Sequence, residues 1–131
     1  MTTLVDANVL LDIATEDDRW FDWSAQALAT AAGAGETAIN PLIYAEVAAG
    51  FERIEDLDAA LTGFRRLPLP YDAGFLAAHC FVRYRRAGGQ RRSPLPDFYI
   101  GAHAAVAGLT LLTRDAGRYR TYFPRLTLIT P

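Results

Sequence analysis

A chain of 131 residues can close one hydrophobic core and is too short for two. Its 51% apolar and 21% charged composition excludes a disordered chain, and its single cysteine, Cys80, excludes an internal disulfide. The net charge of −2 divides unevenly: residues 1–72 hold four arginines against thirteen acids (−9), residues 73–131 nine arginines against two acids (+7). A basic half could hold an anionic polymer while the acidic half holds a metal or a basic partner; solvated helix faces of opposite sign account for these charges equally well. Lysine is absent, so any active site that needs an ammonium group is excluded. No apolar run reaches the roughly 18 residues of a membrane span. The N-terminus lacks the basic start of a signal peptide, and the lone thiol fits a reducing cytoplasm, where the chain is expected to reside.

Taken in chain order, short strands alternate with helices, which predicts an α/β fold with a parallel sheet covered on both faces. Thr3-Leu4-Val5 is the first strand, followed by a helix around Asn8 to Ala14. A second helix runs from Asp18 to about Ala32, ended by the Gly33-Ala34-Gly35 breaker. Thr37-Ala38-Ile39 is the second strand, and Asn40 then caps a helix with Pro41 at its first position, where a missing N–H costs nothing. A helix from about Ile54 to Arg65 leads to Leu67-Pro68-Leu69, a short third strand or an extended link.

The helix from Asp72 to Arg86 places Ala77, Cys80, Phe81 and Tyr84 on one face, with His79, Arg83 and Arg86 opposite. Gly88-Gly89 stops it, and Gln90-Arg91-Arg92-Ser93 is a basic loop. Phe98 to Ala107 is apolar nearly all round and should be a buried helix. Leu109 to Leu112 and Leu126 to Ile129 supply the last two strands. Residues 1–131 therefore form a single domain.

Four acids fall where such a sheet would bind a ligand, beyond the carboxyl ends of its strands. Asp6 and Asp115 each follow a strand, Asp97 follows Pro94-Leu95-Pro96 in the first turn of a helix, and Glu46 interrupts an otherwise apolar helix. Each has an ordinary role open to it: a turn residue for Asp6, a helix-start carboxylate for Asp97, a cap for Asp115, a surface residue for Glu46. Their joint occurrence favours a shared site. Oxygen-only ligands suit Mg²⁺ or Mn²⁺, and no Cys/His cluster offers a zinc site. His103, inside an apolar helix, reads as a packed residue and His79 as a surface one.

The stretches Leu4 through Asp12, Asn40-Pro41 through Glu46, Pro96-Asp97-Phe98-Tyr99-Ile100 and Leu112-Thr113-Arg114-Asp115 resemble, in order, the motifs of PIN-domain ribonucleases. The similarity is greatest to the VapC toxins of toxin–antitoxin pairs. The resemblance implies a PIN-like fold with a five-stranded parallel sheet and a metal-dependent endoribonuclease. By similarity, Asp6 and Asp97 would be the main ligands of Mg²⁺ or Mn²⁺. Glu46 and Asp115 would complete the cluster, directly or through water, with Asn8 and Thr113 in support. Many relatives carry a further aspartate where Gly117 stands, so a second metal is expected to be held weakly or only with RNA present. The family also implies a cognate VapB-like antitoxin, accepted by the first helices, and a homodimer. For Trp20, Phe21 and Trp23 a core role and an antitoxin interface both remain open.

The basic region before Asp97 offers RNA contacts: Arg83, Arg85, Arg86, Arg91 and Arg92, whose guanidinium forks suit phosphates, with Arg114 and Arg118 bracketing Asp115. A solvated helix end explains the same arginines. Two other functions compete. A phosphatase or receiver-type α/β domain also places aspartates at strand ends, but relies on a lysine that this chain lacks, and the phosphatase pattern needs an aspartate where Asn8 stands. A PIN-like module that binds RNA or protein without cutting would not need all four acids.

Overall fold

The computed structural model describes residues 1–92 and 95–131. Five short strands, β1 (Thr2–Val5), β2 (Glu36–Ile39), β3 (Arg65–Arg66), β4 (Thr110–Leu112) and β5 (Leu128–Ile129), pair in parallel in the order β3-β2-β1-β4-β5. Leu4, Val5, Leu111 and Leu112 are fully buried, as central strands covered on both faces require. Between the strands run α1 (Ala7–Ala14), α2 (Phe21–Ala34), α3 (Pro41–Ala48), α4 (Ile54–Ala60), α5 (Tyr71–Arg86), α6 (Pro96–Ala107) and α7 (Gly117–Tyr122). Right-handed crossovers put α1 to α4 on one face of the sheet and α5 to α7 on the other. The expected fold class is therefore the observed one.

This strand order has a consequence for binding. The chain leaves β1 toward β2 on one side, while β4 leads to β5 on the other. A crevice opens at the carboxyl ends of β1 and β4, where the order reverses. α6 runs antiparallel to the strand it feeds, so its N-terminus returns to that same rim, and α3 starts from the end of β2. Asn40 caps α3 as expected, its Oδ1 accepting from the Ile43 N–H at 2.9 Å.

Aromatic packing fixes the helices of the second face. Phe98 on α6 meets Phe81 and Tyr84 of α5 and Tyr122 of α7 at ring separations of 5.2 to 6.3 Å. Gly101 lets α7 approach: a Cβ there would strike the Phe123 ring. The close approach carries Tyr119, 1% exposed, into the crevice.

Of the two readings of Leu67-Pro68-Leu69 the extended link holds and the third strand is Arg65–Arg66 just before it, with the Leu67 N–H still reaching the Ile39 carbonyl at 2.9 Å. Two expectations need correction. The helix expected to run to Arg65 ends at Ala60, which frees those arginines to pair with β2. α2 continues through Gly33 to Ala34 and stops at Gly35, where any side chain would collide with the Met1 carbonyl. The basic loop is described as far as Arg92; Ser93 and Pro94 lie outside the described residues. Among the described residues no helix is long and apolar enough to cross a membrane.

Candidate active site

Asp6 ends β1 and caps α1, its extended backbone turning strand into helix. Its Oδ1 accepts from the Ala7 N–H at 2.8 Å. Its Oδ2 accepts two hydroxyls, Thr113 Oγ1 and Tyr119 Oη, both at 2.9 Å. Thr113, fully buried beyond β4, in turn accepts from Asn8 Nδ2 at 3.2 Å and from the Asp115 N–H at 3.2 Å. Asn8 Oδ1 accepts the Arg114 N–H at 3.1 Å, so Asn8 and Thr113 stitch the ends of β1 and β4 together. Burial pushes the Asp6 pKa up; the Thr113 and Tyr119 hydroxyls oppose that, and the Asp97 charge adds to it.

Asp97 lies in the first turn of α6 with each oxygen facing α7. Its Oδ1 is 3.3 Å from Tyr119 Oη and its Oδ2 is 3.3 Å from Arg118 Nη1. The Arg118 guanidinium also lies over the Tyr84 and Phe98 rings, at 5.7 and 5.8 Å. Glu46, half-buried on α3, completes the group. Its Oε1 is shielded from solvent and accepts no hydrogen bond from the described residues. Desolvation first, then the charges of Asp6 and Asp97, push its pKa up to about 7. Asp6, Glu46 and Asp97 thus share one electrostatic field, although their sequence separation is large.

Asp115 stands apart. Its residue is exposed, and its backbone N–H rather than its carboxylate engages the site, through Thr113. The capping role open to it is absent: among the described residues its carboxylate makes no hydrogen bond to α7, whose N-cap residue is Ala116 and which has no side-chain cap.

The donor chemistry fits a hard divalent cation. Asp6, Glu46 and Asp97 are oxygen donors that feel one another's charge, and Glu46 Oε1, without a donor among the described residues, is an anionic acceptor of the kind a cation satisfies. Among the described residues no three His, Cys, Asp or Glu side chains are grouped closely enough to hold a metal ion as they stand, and Asp97 is paired with Arg118. A bound cation would compete with that guanidinium for Asp97.

The basic residues divide by what they touch. Arg86, Arg91 and Arg92 are exposed; Arg85 donates to the Arg91 carbonyl at 2.8 Å and Arg83 lies over the Tyr122 ring at 5.7 Å. Arg114, expected to face substrate, instead holds Asp12 through two bonds of 2.8 and 2.9 Å. His103 is buried as expected. Its Nδ1 lies 3.1 Å from the Asn40 amide, whose oxygen is already engaged at Ile43, so the ring nitrogen accepts; burial lowers its pKa. His79 is exposed beside Phe75. Trp20, Phe21 and Trp23 are each half-buried, Trp23 packing on the core.

Sequence reasoning did not reach Tyr119 as a site residue, nor the ion pair of Arg118 with Asp97. Tyr119 stands four residues after Asp115, one turn along a short helix, and reads there as ordinary core.

A sequence model of the PIN domain matches residues 3–124. Among curated proteins none matches. Similar solved structures include VapBC2 from Rickettsia felis bound to a DNA fragment from their promoter, at 17% identity and TM-score 0.73, covering 100% of this chain and 99% of that one. VapBC-1 from nontypeable Haemophilus influenzae gives 13% identity and TM-score 0.75, covering 99% and 98%. A toxin–antitoxin complex from Klebsiella pneumoniae gives 24% identity and TM-score 0.69, covering 98% and 97%. At these identities the likeness shows the fold.

Proposed function

The chain belongs to the PIN domain family, and on that premise we propose that it is a Mg²⁺- or Mn²⁺-dependent endoribonuclease acting as the VapC-type toxin of a toxin–antitoxin pair. The observation that carries the reading is Glu46 Oε1, a shielded carboxylate oxygen with no donor among the described residues, in a side chain whose pKa is raised by burial and by the Asp6 and Asp97 charges. Asp6, Glu46 and Asp97 would hold the cation, with Asp115 at the exposed mouth acting directly or through water. Asn8 and Thr113 keep Asp6 in place.

When bound, such a cation supplies Lewis acidity toward a phosphate oxygen and a lowered pKa for an attacking water. The chain's own groups do the rest. Thr113 and Tyr119 fix the Asp6 carboxylate, and Glu46, with its raised pKa, can take up a proton near neutral pH. Arg118, released from Asp97, is placed to meet a substrate phosphate. The exposed Arg86, Arg91 and Arg92, with Arg83, offer further anion contacts on the approach to Asp97. No serine or cysteine nucleophile is required, and His103 is committed to Asn40.

A VapB-like antitoxin is the expected partner, accepted by α1 and α2, and the protein is expected to form a homodimer; the three similar structures are themselves toxin–antitoxin complexes or VapBC assemblies. The reading is tested by brief induction of the chain in a bacterial host, followed by sequencing of newly formed RNA ends. Growth arrest with discrete cleavage in structured RNA loops, relieved by co-expressing the protein of an adjacent upstream gene, is the expected result. Uniform RNA profiles with unimpaired growth would remove the toxin reading.

A further inference from the structure

We propose that Tyr119 is a positioning residue of the acidic centre, its phenol hydroxyl setting the orientation of the Asp6 carboxylate. The ring is 1% exposed and its place is dictated by the packing of α7 on α6, so the hydroxyl is held by the core. It donates to Asp6 Oδ2 at 2.9 Å and lies 3.3 Å from Asp97 Oδ1, so two carboxylates 91 residues apart in sequence flank one buried oxygen.

Counting lone pairs gives the hydroxyl its consequence. Each carboxylate oxygen offers two in-plane acceptor directions. Asp6 Oδ2 receives two hydroxyls, from Thr113 and Tyr119, and is saturated; Oδ1 receives the Ala7 N–H and keeps one direction free. Asp6 is therefore oriented to offer a cation a single lone pair on a single oxygen. Tyr119 has one proton, and the shorter contact assigns it to Asp6. Its oxygen is then left facing the Asp97 carboxylate, an electron-rich contact that a cation between the acids would relieve. Without the hydroxyl, Asp6 Oδ2 regains a free direction and the carboxylate can rotate, so the site loses its preorganisation.

This inference rests on the metal reading above, and its test separates the two. Mn²⁺ is titrated into wild type, Tyr119→Phe and Tyr122→Phe by calorimetry, with near-ultraviolet circular dichroism confirming that each is folded. Tyr119→Phe keeps the buried ring and removes the hydroxyl alone; Tyr122→Phe removes a neighbouring phenol on the same helix that touches neither acid. Tyr119→Phe is expected to weaken Mn²⁺ binding roughly 10- to 100-fold, the range for residues that orient a metal ligand, with Tyr122→Phe unchanged. Equal affinity in wild type and Tyr119→Phe overturns the role of Tyr119 and leaves the metal reading standing. Equal losses in both variants overturn it too, as a packing effect. A wild type that takes up no Mn²⁺ at all overturns both readings together.

Discussion

Arg114 grips Asp12 with two parallel bonds, Nε to Oδ2 at 2.8 Å and Nη2 to Oδ1 at 2.9 Å, tying the segment after β4 to α1. Ser24 Oγ donates to the same Oδ2 at 2.8 Å, which brings α2 into the clamp, and the guanidinium lies 5.4 Å from the Trp20 ring. With Asp12 3% exposed, the pair is a structural one placed beside the acidic rim. Arg114→Ala would strand the buried Asp12 carboxylate with one neutral donor. A loss of about 3 kcal/mol is expected, at the low end for a broken buried pair because the guanidinium is partly solvated. Urea unfolding measures it. The same variant should leave the salt dependence of RNA binding unaltered; a flattened dependence would return Arg114 to the substrate surface.

Glu46 sets a pH dependence with a definite sign. Its pKa rises from an ordinary 4.5 to about 7 in the folded chain, so the native state holds this proton more tightly than the unfolded state does. Metal-free stability is therefore expected to fall as pH rises from about 5 to about 7, with a slope of less than one proton because the side chain is only half-buried. Glu46→Gln should flatten that slope. Mn²⁺ affinity in the wild type should rise over the same interval, as the cation displaces the proton. Melting temperatures from pH 5 to 8, for both proteins, decide the matter; a slope that survives in Glu46→Gln places its origin elsewhere.

The exposed arginines make a separate prediction. Replacing Arg91 and Arg92 with alanine should weaken RNA binding without changing Mn²⁺ affinity. Each lost contact to single-stranded RNA reduces the slope of log K against log salt by about 0.7. Fluorescence anisotropy across a salt series reads this directly. An unchanged slope would make the two residues ordinary solvated charges.

What the sequence disclosed followed from periodicity and from chemistry at element ends. Asp6 was legible because it follows an apolar strand and Asp97 because Pro96 marks a helix start. Asn40-Pro41 announced α3 by the same logic, while Asn8 and Thr113 were reached only through the family resemblance. The fold class followed from the alternation of strands and helices together with the family resemblance. β3 was hidden because its two residues, Arg65 and Arg66, are exposed charges on an edge strand, while the apolar Leu67-Pro68-Leu69 beside them looked more strand-like. Gly33 misled because a glycine inside a helix costs only about 1 kcal/mol and need not end it; the helix stops two residues later at Gly35, where the backbone lies against Met1. Tyr119 was invisible for a different reason. Nothing local distinguishes an aromatic that fills the core from one whose hydroxyl also spans two distant carboxylates. The same holds for Arg114, whose partner Asp12 lies 102 residues upstream.

The most direct measurement of the account is cleavage of a structured RNA by the purified protein in Mn²⁺ or Mg²⁺, compared with Asp6→Asn and Asp97→Asn and with a chelator. A neutral amide keeps the shape of each side chain and removes a hard anionic ligand. Wild type should cut with either cation and stop on chelation, and each variant should fold normally and lose activity by more than roughly 100-fold, the upper range for residues that merely support a ligand. Cleavage at wild-type rates by both variants, or undiminished cleavage in chelator, would contradict the assignment of the Asp6, Glu46 and Asp97 crevice as a metal-dependent nuclease centre.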